Sequence, residues 1–123
     1  MREILGVTQE TPQRRRRWFH DDYFDLFVSQ ASDGNVDAFQ LCYGLDSAER
    51  ALVWDREHGY FHDGTDLLKA EDIVGRFDSV ARDLPGEVAR AVARRLQEFA
   101  ERGPSAPPRR KRFRRSAWQH REA

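Results

Sequence analysis

Residues 18–64 alternate apolar and polar side chains in short runs, and a turn signal closes each run. Alternation at period two sends successive side chains to opposite sides of a strand. Connections of only a few residues join antiparallel neighbours, because a parallel pair needs a long crossover. Phe24, Leu26 and Val28 alternate in this way, as do Asp37, Phe39, Leu41 and Tyr43. Ser32-Asp33-Gly34-Asn35 makes a turn between them, since Gly and Asn accept positive φ at little cost. Residues 44–49 and 56–59 supply the next turns, leading into strands over residues 50–54 and 60–62. The run Arg14 to Arg17 followed by Trp18-Phe19 fits an edge strand, where charged side chains discourage sheet-to-sheet association.

Beyond Gly64 the period changes. Ile73, Val74, Phe77, Val80, Ala81 and Leu84 recur at helical steps, although Gly75 leaves open a short strand over residues 71–75 before a helix starting near Asp78. Pro85 suits the first turn of a last helix, in which Val88, Val92, Leu96 and Phe99 form an apolar stripe and which Gly103 and Pro104 end. The expected fold is α+β: a four- to five-stranded antiparallel meander with one or two C-terminal helices packed on one face. Residues 1–13 are expected to be a flexible arm with a short strand at residues 4–7, residues 14–103 a single α+β domain, and residues 104–123 a basic, disordered tail.

With 123 residues the chain is sized for one domain and one core. The single Cys42 excludes an internal disulfide framework and fits a reducing compartment. No apolar run reaches the ~18 residues of a membrane span or forms a secretory leader, so a cytoplasmic location is expected. The formal net charge of zero hides an asymmetry. Residues 1–103 carry 14 Lys+Arg against 20 Asp+Glu, and residues 104–123 carry 7 against 1.

The motifs WFHDDYFDLFV, FQLCYG, ERALVW and GYFHDG resemble those of a small family of uncharacterised bacterial proteins. The resemblance spans roughly residues 16–64 and implies the meander; it implies no activity and no catalytic residues.

Three classes of site are compatible with the residues. Trp18, Tyr43, Trp54 and Tyr60 have a polar end as well as an aromatic body, and with Gln40, His20, Asp22 and His62 they suit a groove for a small ligand or peptide. Both sheet faces carry apolar residues (Phe27 on one side, Leu26 and Val28 on the other), so the face without helices needs a ligand, a folded-over arm or a second copy in a homodimer. The tail residues Arg109, Arg110, Lys111, Arg112, Phe113, Arg114 and Arg115 suit nucleic acid or an anionic surface, with Phe113 and Trp118 available for stacking on bases. A small enzyme could pair His20 or His62 with Asp22 or Asp63. His58 and His62, four apart, lack the intervening Glu of a zincin motif, and no phosphate loop or nucleophile elbow is present, so no metal, cofactor or catalytic residue is assigned. The leading expectation is a non-enzymatic binding or interaction module that associates with itself through a sheet face.

Overall fold

The computed structural model describes residues 1–45, 49–63, 70–102 and 118. Six strands, β1 (Arg2–Ile4), β2 (Arg14–His20), β3 (Phe24–Ala31), β4 (Val36–Tyr43), β5 (Arg50–Asp55) and β6 (Gly59–Asp63), form one antiparallel sheet in sequential order. Helix α1 (Ala70–Val80), a 3-10 turn (Ala81–Asp83) and helix α2 (Gly86–Arg102) follow. The fold is an α+β meander, and the strand count is six where four to five were expected. The additional strand is β1, and the short strand expected at residues 4–7 lies earlier, because Gly6 turns the chain with φ 74°. β1 pairs only with Trp18–His20 of β2, so Arg14–Arg17 keep no β1 partner and border the sheet there, as expected of an arginine run.

Three of the turns have a chemical cause among the described residues. The Asp21 carboxylate accepts from the backbone N–H of Tyr23 and Phe24 at 2.8 and 2.6 Å, closing β2 onto β3. Gly34 takes φ 89° between β3 and β4. Asp55 accepts from the N–H of Glu57 and His58 at 2.9 and 2.7 Å, and Gly59 at φ 75° starts β6.

The register puts Phe19, Leu26, Leu41, Leu52 and His62 in one row across five strands. This row faces the helices. Ile73 and Phe77 of α1, with Val88, Val92, Leu96 and Phe99 of α2, close the main core over it. Residues 71–75 are helical, resolving the alternative left by Gly75. On the opposite face Ile4, Trp18, Phe27, Gln40, Val53 and Phe61 make the parallel row. A second cluster sits there, comprising Trp18, Phe27, Cys42, Ala51 and, from far along the chain, Trp118.

Salt bridges and amide contacts fasten the N-terminal segment to β2. Arg17 donates to both oxygens of Glu3, at 2.8 and 2.7 Å, a two-pronged pair that holds the Glu3 carboxyl below its ordinary range and the guanidinium above its own. The Gln9 side chain accepts from the Arg16 N–H at 2.8 Å and donates to the Arg16 carbonyl at 2.9 Å. One side-chain amide thus makes both hydrogen bonds that a neighbouring strand would make, and β2 is shielded beyond the end of β1. No helix among the described residues is long and apolar enough to cross a membrane.

Candidate functional site

The residues singled out from the sequence fall on both sides of the sheet. Tyr43, Trp54, Tyr60 and His62 lie on the helix face, under α2; Trp18, His20 and Gln40 lie on the other. Asp22 is exposed in the β2–β3 turn. Gln40 and Arg50, on adjacent strands, also point to opposite faces, since Gln40 pairs with Val53 while Arg50 pairs with Tyr43. Residues 109–115 lie outside the described residues.

On the helix face the polar ends are enclosed by α2. The buried Tyr43 hydroxyl is hydrogen-bonded to His62 Nε2, and the His62 ring stacks on Phe99 with centroids 6.0 Å apart. Arg95 lies 4.2 Å from the Trp54 ring centroid, and Tyr60 packs on Phe99 at 5.7 Å. Burial pushes the Tyr43 phenol up to about 12; burial, reinforced by the neighbouring Glu98 carboxylate, does the same to Tyr60. Both phenols therefore stay protonated in the folded protein at neutral pH.

A pH dependence follows, with its sign set by the raised values. Stability from the two neutral phenols is complete below the unfolded tyrosine value of about 10 and is lost as pH rises through 12. In an alkaline titration the tyrosinate absorbance of these two residues is expected to rise together with loss of the far-ultraviolet circular dichroism. Ionisation of both near pH ~10 in a protein with native dichroism would contradict this placement.

The opposite face carries the more unusual chemistry. Asp25 is buried, yet its Oδ1 accepts from Trp18 Nε1 at 2.8 Å and contacts His20 Nδ1 at 2.6 Å. The sheet itself creates this cluster. His20 is the direct cross-strand partner of Asp25, and Trp18, two residues earlier on the same side, reaches it diagonally. The His20 ring, one-third exposed, thus meets the carboxylate through Nδ1. Cys42 pairs with Asp25 across β3–β4, is fully buried, and its Sγ receives a hydrogen bond from Gln40 Nε2 at 3.4 Å. A thiol so enclosed is poorly placed to act as a nucleophile.

Over this cluster lies Trp118. Its ring meets Phe27 edge-on, with centroids 5.3 Å apart and an interplanar angle of 73°, and Phe27 in turn stacks on Trp18 at 5.1 Å. The Arg16 guanidinium sits 4.9 Å from the centre of the indole, and the Thr8 N–H donates to the Trp118 carbonyl at 3.0 Å. Trp118 was expected to stack on nucleic-acid bases; instead it is 95 % buried, at 5 % exposure, on its own sheet.

Asp25 and this use of Trp118 were not among the residues chosen from the sequence. The available signals were a carboxylate at a sheet position flanked by Phe24 and Leu26, and a lone tryptophan in a polar tail opposite a face with surplus apolar residues. Among the described residues no group of three or more His, Cys, Asp or Glu is arranged to hold a metal ion. Comparison of the chain with protein-family models, curated proteins and solved structures gave no match.

Proposed function

We propose that this chain is a non-enzymatic interaction module whose working surface is the sheet face opposite the helices, and that it associates with itself through that face. The observation that carries this reading is the incomplete cover of an apolar row. Val7, Leu45 and Trp118 pack on the cluster around Trp18 and Phe27, whereas Val53 and Phe61, at the far end of the row, are half-buried. They sit on the last two strands of the sheet, where β6 is an edge. Two copies related by a twofold axis would bury the same strip on both sides, the usual geometry of a homodimer. The motif resemblance brings no activity with it, and the enclosed Cys42 and the structural engagement of Asp25 favour binding over catalysis.

Sedimentation equilibrium tests the reading. The unchanged chain is expected to reach a dimer reversibly, and Phe61→Asp to weaken dimerisation at least about tenfold by placing a carboxylate in the strip. A monomer throughout an accessible concentration range would remove self-association.

A further inference from the structure

We infer that the cleft at one end of the sheet, between the start of β2 and the β5–β6 turn, binds the phosphate group of a small molecule through Arg14 and Arg56 together. The inference goes beyond self-association and does not depend on it.

The topology brings the two arginines together. Arg14 opens β2 opposite Ala31, the last residue of β3, and Arg56 follows the last residue of β5. The register shift pairs Ser29 with Ala38 and Gln30 with Val36, so Asp37 is the extra residue of a bulge in β4. Its carbonyl accepts from the Arg56 N–H at 3.0 Å, which ties the β5–β6 turn to β4. Its largely buried carboxylate has Arg14 Nε 3.6 Å from one oxygen and Arg56 Nη2 3.5 Å from the other. One carboxylate thus holds two guanidinium groups beside one cleft.

Both cations remain available to a ligand. Contacts of 3.5 and 3.6 Å are ion pairs rather than strong hydrogen bonds, and the Arg14 and Arg56 side chains are 61 and 66 % exposed. Among the described residues neither guanidinium has a second partner, so two positive charges share a single negative one. The cleft has a volume of about 380 Å³, within the range of small-molecule sites, and the small Ala31 and Ala38 in its lining leave that room. Each guanidinium presents a fork of N–H donors. A tetrahedral phosphate can offer separate oxygens to two forks, whereas a carboxylate is satisfied by one. Two of the neighbouring acids are already engaged. Asp37 is held by the arginines, and Asp55 Oδ1 accepts from the N–H of Glu57 and His58 and lies 3.0 Å from the His58 ring nitrogen. Glu57, exposed in the lining, is the exception and opposes an anion.

The test follows the backbone amide and arginine Nε–H resonances of the isotope-labelled full chain as inorganic phosphate replaces chloride at constant ionic strength. Saturable shifts are expected at the amides of Asp37 and Arg56 and at Arg14 Nε–H, with a dissociation constant on the order of millimolar for phosphate alone. Arg14→Gln and Arg56→Gln are each expected to weaken binding at least about fivefold. Lysine at either position should weaken it less, since the charge stays and only the fork is lost. Glu57→Gln is expected to tighten binding about twofold by removing the opposing charge. Arg90→Gln, at an exposed position of α2, should leave it unchanged. Shifts that stay linear in phosphate, or saturable ones confined to other arginines, would overturn the inference. So would unchanged affinity in the Arg14 and Arg56 variants while their circular dichroism is native. Succinate in place of phosphate tests the ligand class: binding as tight as that of phosphate would overturn the assignment to a phosphate group.

Discussion

Phe77→Ala is expected to lower the unfolding free energy by about 3–5 kcal/mol, the largest single effect at any position considered. The Phe77 ring is fully buried and stands edge-on to Phe24, with centroids 6.1 Å apart, so it joins α1 to the start of β3. Truncation removes the apolar area and leaves a cavity between two elements that cannot both relax into it. The dependence of α1 on packing adds to this. The helix has 11 residues and carries Gly75 in its interior, a length and composition that are marginal for an isolated helix. Urea unfolding followed by circular dichroism checks the expectation. The midpoint should fall while the slope stays constant, and a change below ~1 kcal/mol would show that α1 is not anchored through this ring.

The dependence of α1 on its neighbours also explains what the sequence did and did not disclose. Where alternation or a helical stripe was strong, as in residues 24–28, residues 36–43 and the stripe Val88, Val92, Leu96 and Phe99, the elements formed as expected. Gly75 blurred the start of α1 because local propensity there is weak and tertiary contacts decide. Strand β1 was misplaced for a related reason: Arg2, Glu3 and Ile4 have no apolar alternation, and their conformation is set by pairing with β2 and by the Glu3–Arg17 ion pair.

The candidate residues were harder to assemble. Period two fixes which side chains share a face within one strand, but the parity between strands depends on turn length and on irregularities such as the register shift at Ser29/Gln30. The aromatic set consequently divided between two faces. Trp118 had no local periodicity to place it, since its partners Thr8, Arg16 and Phe27 are far from it in the chain.

Asp25→Ala is expected to cost about 2–4 kcal/mol, through polar groups left unpaired rather than through lost volume. The carboxylate accepts from the indole N–H of Trp18, itself buried, and contacts His20 Nδ1. Removing it strands the indole N–H, a buried donor that then carries its full desolvation penalty, and takes a partner from the one-third-exposed His20 ring. Asp25→Asn should be milder, because its single amide oxygen keeps a bond to the indole, but its NH₂ offers His20 a donor in place of an acceptor. A double-mutant cycle with His20→Ala separates the two partners. Loss of Asp25 should cost less by about 0.5–3 kcal/mol once His20 is absent, and what remains belongs to Trp18. Strict additivity would mean that His20 only lies beside the carboxylate. A change within ~0.5 kcal/mol for Asp25→Ala would mean that water replaces it freely and that the cluster is not closed. The consequence extends to Trp118. Trp18 is positioned by this carboxylate and is the ring on which Phe27 stacks, so a less ordered Trp18 should also weaken the hold on Trp118, linking a buried carboxylate of β3 to the packing of an indole far along the chain.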